Sequence, residues 1–234
     1  MTIRKIALVT GGNRGIGLEV CRQLASSKVQ VILTARSEEQ GHQAQSILSR
    51  SGLSVDFQRL DVTDFSSLNS TFDFISKEYG VLDILINNAG ILPDGDKSGL
   101  TVETETILQV FKTNTLGPLR LSQLFLPLLK KSRGGKIINI SSGMGSLNEM
   151  AGGYPAYRIS KAALNAVTLI LASELTGLNV AVNSICPGWV KTDMGGRNAS
   201  RSVEQGASGI VQLALLDKKV PTGKFLRDGQ IIAW

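Results

Sequence analysis

Tyr157 and Lys161 set a phenol and an ammonium at i and i+4 within Tyr157-Arg158-Ile159-Ser160-Lys161. On a helix those side chains stand on one face, about one turn apart. A nearby ammonium favours the phenolate, so Lys161 is expected to lower the Tyr157 pKa and make the phenol a better proton donor near neutral pH. Such a pair arises by chance in many helices. Here it follows, in order, a glycine-rich loop, an Asn-Asn-Ala-Gly turn and a strand ending in Ser141-Ser142, and that order gives it weight.

The loop Thr10-Gly11-Gly12-Asn13-Arg14-Gly15-Ile16-Gly17 joins the first expected strand to the first expected helix. Glycines at 11, 15 and 17 permit a tight turn and let the backbone approach a pyrophosphate, which then sits at the positive end of the helix. Asn13, Arg14 and Ile16 complete the stretch expected to face the phosphates. Taken alone, the loop is an ordinary strand-helix turn, and its context makes the dinucleotide reading the better one. A dinucleotide fold that prefers NAD puts an acid at the tip of its second strand to hold the ribose hydroxyls. This chain has Thr34-Ala35-Arg36-Ser37 there instead. Two guanidinium groups, Arg36 and Arg14, suit a 2′-phosphate, so the expected cofactor is NADP(H). The plainer alternative is that both arginines merely face solvent.

These groups need a scaffold, and the pattern supplies one. Short apolar runs and helix-like segments alternate from end to end, with no linker, repeat or low-complexity block. Strands are expected over 5–10, 30–35, 55–60, 82–87, 136–141, 180–186 and 224–234, the last with a turn at Asp228-Gly229. Helices are expected to about Ser26, over 38–50, to about Tyr79, and over 103–113, 119–131, 155–175 and 203–215. The expected fold is α/β over 1–234 as one domain: a Rossmann-type doubly wound sheet of about seven mainly parallel strands, with helices on both faces.

Composition narrows the function. The 234 residues are 42% apolar, and 25 Lys plus Arg against 19 Asp plus Glu leave a net charge of +6. The basic residues are scattered and lack an aromatic-interleaved stripe, which argues against nucleic acid and for an anionic cofactor. Cys21 and Cys186 form neither a disulfide framework nor a zinc pattern and read as small buried apolar side chains. His42 is the only histidine and lies in a polar helical stretch, so a Ser-His-Asp hydrolase is excluded. No apolar run reaches 18 residues and the first strand begins close to Met1, so neither a membrane span nor a signal peptide is expected and the expected compartment is cytoplasmic.

The chain resembles the short-chain dehydrogenase/reductases, and within them the carbonyl reductase branch, over essentially its whole length. The resemblance rests on the glycine loop, Leu33 to Arg36, Leu60-Asp61-Val62, Asn87-Asn88-Ala89-Gly90, Asn114, Ser141-Ser142, Tyr157 with Lys161, and Pro187 to Met194. It implies that Asp61 binds the adenine amino group beside the Val62 backbone, and that Asn88, Ala89 and Gly90 line the adenosine ribose. It implies that Pro187, Gly188 and Val190 grip the nicotinamide carboxamide, with Thr192 adding a hydroxyl. Duller roles exist: Asp61 as a helix cap, although Asp64 is the better one, and Thr192 as a turn residue. In the family's chemistry Tyr157 is the general acid, Ser142 donates a hydrogen bond to the substrate oxygen, Lys161 also binds the nicotinamide ribose, and Asn114 holds a water near the lysine. Ser141 is the alternative to Ser142. The gap from Ser142 to Tyr157 is slightly longer than is common in the family.

The segment Gly143 to Gly153 is expected to wall a substrate pocket with Met144, Leu147 and Met150, while Leu92, Pro93, Trp189 and Met194 supply other sides. Such a lining suits an apolar or aromatic carbonyl compound. The resemblance thus implies NADPH-dependent reduction of aldehydes and ketones. Two alternatives stay open: an enzyme of one defined metabolite (a 3-oxoacyl thioester, a sugar or a polyol), or a non-catalytic NADP sensor, although sensors of that kind usually lose the Tyr or the Lys. Monomeric animal carbonyl reductases carry a long insertion before the tyrosine that this chain lacks, and in many members the helix bearing Tyr and Lys forms a dimer or tetramer interface. A homo-oligomer is therefore a second expectation about partners.

Overall fold

Strand residues along this chain alternate in the face they bury, and that alternation builds a three-layer structure. The computed structural model describes residues 4–234. Ala7 and Val9 of β1 (Ile6–Val9), Val31 and Leu33 of β2 (Gln30–Ala35), and Ile84 and Ile86 of β4 (Ile84–Asn87) pack against α1 (Gly15–Ser26), α2 (Glu38–Arg50) and α7 (Val203–Leu215). The intervening Leu8, Ile32 and Leu85 face the other way, onto α3 (Phe65–Glu78), α5 (Gly117–Leu129) and α6 (Pro155–Glu174). With both faces covered, the strands read as nearly continuous apolar runs, as parallel sheets require.

The sheet runs β3-β2-β1-β4-β5-β6-β7-β8, where β3 is Asp56–Arg59, β5 Gly135–Ile140, β6 Val180–Ile185, β7 Lys224–Arg227 and β8 Gln230–Ile231. All pairs are parallel except the last, β7 with β8. The expected final strand is thus two, folded back at Asp228 and Gly229, both at positive φ, and the count is eight. Strand order reverses between β1 and β4, and the crevice outside their carboxyl ends is where such sheets bind ligands. Thr10-Gly11 and Asn87-Asn88 lie at that point.

A second difference concerns the expected break before Leu119. No break occurs: α4 (Thr104–Phe111) runs into a π-helical turn, Lys112–Leu116, and directly on into α5. Pro118 follows this wider turn, where the passage back to regular helix already interrupts the hydrogen-bond ladder and a missing N–H is tolerated. The wider turn inserts one extra residue without ending the helix, and it carries Asn114. Among the described residues, no helix is long and apolar enough to cross a membrane.

Candidate active site

A cleft of about 1360 Å³ opens along the carboxyl ends of β1, β2, β4, β5 and β6. One end is the glycine loop. A Cβ at Gly17 would overlap the Gly11 carbonyl oxygen and come within 2.5 Å of the Asn88 side-chain amide, so the helix can start this close to the cleft only with glycine there. Asn88 is the latch behind this turn. Its Nδ2 donates to the carbonyls of Thr10 at 2.9 Å and Gly11 at 3.1 Å. Thr10 Oγ1 in turn accepts from the N–H groups of Asn88 and Ala89, both at 2.9 Å. The Asn88 amide, expected along the ribose, is therefore spent on holding β1 to β4.

Arg36 is exposed at the tip of β2 and borders the cleft, with no ion pair among the described residues. Arg14 is committed differently: its guanidinium lies 2.7 Å from the Asp193 carboxylate, across the cleft. Both side chains are more than 70% exposed (71% and 77%), so the pair is worth ~0–1 kcal/mol and yields readily to a stronger anion. Asp61 accepts from the backbone and hydroxyl of Thr63, whereas Asp64 caps α3 through Ser66 N–H. Gly11, Asn13, Arg14, Gly15, Ile16, Gly17, Arg36, Asp61, Val62, Ala89, Gly90, Pro187, Gly188, Val190 and Thr192 all border the cleft. The Thr192 hydroxyl accepts from Gly195 N–H at 3.0 Å. A glycine-walled cleft with cations at the adenosine end fits a phosphorylated dinucleotide, and it was built without an acid at the β2 tip.

At the other end stand Ser142, Tyr157 and Lys161. Tyr157 is 7% exposed and Lys161 4%, on consecutive turns of α6. The Lys161 ammonium donates to the Ile140 carbonyl at 2.7 Å and lies 5.6 Å from the centre of the Tyr157 ring. Asn114 is buried behind them. Its side chain accepts from Ile91 N–H and donates to the Ile91 carbonyl, each at 2.9 Å, and donates to Ser160 Oγ at 3.0 Å. A Cβ at Gly90 would be 3.3 Å from Asn114 Oδ1 and 3.7 Å from Lys161 Nζ, so both groups converge on a place where the loop after β4 has no side chain.

The electrostatics differ from the expectation that Lys161 lowers the Tyr157 pKa. Burial pushes the phenol up to about 12; hydrogen bonding with Ser142 pulls it down, and Cys186 and Asp94 push it further up. Burial also brings the Lys161 ammonium down to about 8. Desolvation acts on both groups, and against both it outweighs what a distant, non-hydrogen-bonded partner supplies.

Of the expected pocket walls, Met144, Leu92, Pro93, Trp189 and Met194 border the cleft. Leu147 and Met150 do not, and they are 72% and 42% exposed, because Ser142 caps a tight turn over Gly143–Gly145 that carries the chain past the opening. Cys186 is buried but is more than an apolar filler. Its sulfur accepts from Gly143 N–H, Gly188 N–H and Arg227 Nη2 at 3.2, 3.4 and 3.3 Å, and it borders the cleft. Sequence reasoning read Cys186 only as a buried apolar side chain and passed over Arg227 and Asp94. The position of Cys186 directly before Pro187-Gly188 was a usable signal; the other two gave none.

Comparison with known proteins extends this picture. The short chain dehydrogenase family profile matches residues 5–202. The (+)-neomenthol dehydrogenase of Arabidopsis thaliana is 37% identical over 289 residues, covering 97% of each chain. Carbonyl reductase [NADPH] 1 of Bos taurus is 35% identical over 276 residues, covering 98% of each. Both aligned spans exceed 234 residues, so these relatives carry stretches within them that this chain lacks. Among solved structures, NADPH-bound carbonyl reductase from chicken fatty liver superposes with a TM-score of 0.89 at 33% identity over 100% of both chains. A short-chain dehydrogenase/reductase of Burkholderia multivorans with bound NADP gives 0.87 at 28% identity, over 99% of this chain and 100% of that one.

Proposed function

The chain belongs to the short chain dehydrogenase family, and from that premise we propose that it is an NADPH-dependent reductase of aldehydes and ketones. The observation that carries this reading is the convergence of a buried phenol, a hydroxyl and a buried ammonium at one end of a cleft whose other end offers glycines and Arg36. NADPH, when bound, supplies the hydride that adds to the carbonyl carbon. The chain's own groups handle the charge that then builds on the carbonyl oxygen. Ser142 Oγ donates a hydrogen bond to it, and Tyr157 Oη donates the proton. A phenol kept near 12 holds its proton until an alkoxide of comparable basicity forms. Lys161 and Asn114, converging over Gly90, form the route by which the phenol is reprotonated.

Arg36 takes the 2′-phosphate, and Arg14 joins it on release from Asp193. The exposed Trp189 and Met194 with half-buried Met144 favour apolar and aromatic carbonyl compounds of varied shape, because methionine adapts to its ligand. A second copy of the chain is the partner we infer for the outer face of α6, where Ile159, Leu169 and Ile170 are exposed at 47%, 42% and 54%; a monomer mass in light scattering rejects that.

The test is the initial rate of NADPH oxidation across a panel of aldehydes, ketones and quinones, with NADH and Tyr157→Phe in parallel. Turnover with NADPH that weakens with NADH and falls about 10²–10⁴-fold in the variant supports the assignment. NADPH binding without turnover on any carbonyl compound rejects it.

A further inference from the structure

Asp94 is fully buried in the loop between β4 and α4, and the chemistry above makes no use of it. Its Oδ2 accepts from the N–H of Ala156 at 2.7 Å and from the N–H of Tyr157 itself at 3.3 Å. Its Oδ1 is buried with no partner among the described residues. The first turn of α6 requires such an acceptor. Helix N-termini leave their first N–H groups unpaired and carry a partial positive charge. Here Pro155, the first helical residue, brings no N–H. Tyr154, at the cap position, has φ 53° and makes no side-chain cap. The acceptor comes instead from 62 residues earlier in the chain.

That origin matters. Four residues before Asp94 lies Gly90, over which Asn114 and Lys161 converge, and before it Asn88 and Ala89, latched to the glycine loop. One short segment therefore borders the cofactor cleft and grips the backbone of the proton donor.

We propose that Asp94 is the positioning residue for Tyr157: its carboxylate locks the first turn of α6 to the cofactor-side loop and so sets how far the phenol reaches toward the carbonyl oxygen. The proposal rests on Tyr157 being the proton donor. The negative charge has a second effect. Around the phenol stand Ser142 from the end of β5, Cys186 from the end of β6, Lys161 on α6 itself and Asp94 from the loop, and of these Asp94 and Cys186 favour the neutral phenol.

Asp94→Ala and Asp94→Asn separate positioning from plain helix capping. The asparagine keeps an acceptor oxygen and loses the charge. Expected for Asp94→Ala is a fall in kcat of about 10–100-fold, the scale of a misplaced reacting group, with NADPH affinity by fluorescence titration within about threefold of the parent. Expected for Asp94→Asn is recovery of most of that kcat, with the acidic limb of alcohol oxidation, where Tyr157 must act as base, moved to lower pH. A kcat within twofold of the parent in both variants, with only the melting temperature lowered, overturns the proposal. So does a loss of NADPH affinity as large as the loss of kcat. If Asp94→Ala does not fold, an unmoved pH limb in Asp94→Asn overturns it alone. Undiminished turnover by Tyr157→Phe would instead sink the proton-donor reading, so the two failures are told apart.

Discussion

Lys161 directs its ammonium at the Ile140 carbonyl, 2.7 Å away, and not at the Tyr157 hydroxyl one turn earlier on the same helix. The lysine therefore acts on the site as a buried cation held near about 8, close to the pH at which it gives up its proton. The cation is present below that value and lost as pH rises through it. In the free enzyme, reported by kcat/KM for NADPH, activity is expected to decline above about pH 8. Lys161→Arg, whose guanidinium stays charged, should remove that limb even if it lowers the plateau. A profile flat to pH 10 in the parent enzyme would contradict the assignment.

Arg36 and Arg14 should not contribute equally to cofactor choice. Among the described residues Arg36 has no acidic partner, and Arg14 must first leave Asp193. Arg36→Ala is expected to raise KM for NADPH by about 10–100-fold, the loss of a charge-assisted hydrogen bond worth ~1.5–3 kcal/mol, with KM for NADH little changed. Arg14→Ala should cost less, and Asp193→Asn should lower KM for NADPH a few-fold. Steady-state kinetics with both cofactors at low ionic strength would decide this.

Gly17→Ala is expected to damage the loop, because the added carbon meets the Gly11 carbonyl, a backbone atom that cannot rotate away. Overpacking of that kind costs ~1–3 kcal/mol, to be read from urea midpoints together with weakened NADPH binding. Gly134→Ala, which meets nothing within 4 Å, is the control and should stay within ~0.5 kcal/mol.

Ser142→Ala removes a donor aimed at developing negative charge, and kcat should fall by about 10²–10³-fold while KM for NADPH is nearly unchanged. Ser142 also caps the Gly143–Gly145 turn through Met144 N–H, so Ser142→Thr, which keeps the hydroxyl, should recover much of the activity. Equal losses in the two variants would show that the hydroxyl is not what carries the effect.

Features written into local spacing were legible before any coordinates. The expected bounds of β2, α2 and α7 coincide with the observed ones, and the period of α6 put Tyr157 and Lys161 on one face. What escaped depends on partners distant in sequence or on unusual backbone. The capping of α6 by Asp94 links segments that no local pattern relates. Gly117-Pro118 looks like a helix stop because nothing in residue type announces a wider turn that absorbs the proline. The hydrogen bonds to Cys186 come from three segments meeting only in the folded chain. The balance of burial and charge at Tyr157 and Lys161 is likewise a property of the assembled interior.

The wider helical turn over 112–116 has a consequence at the level of the gene. It holds one residue more than a regular helix would, and it carries Asn114, which bonds to Ile91 and Ser160. Loss of a single codon there would let the helix close to regular geometry with the residues after it little turned, and the change would fall on the turn itself, where Asn114 bonds to Ile91 and Ser160. Outside the buried Asn114 and Thr115, the stretch should therefore be more sensitive to its length than to its spelling.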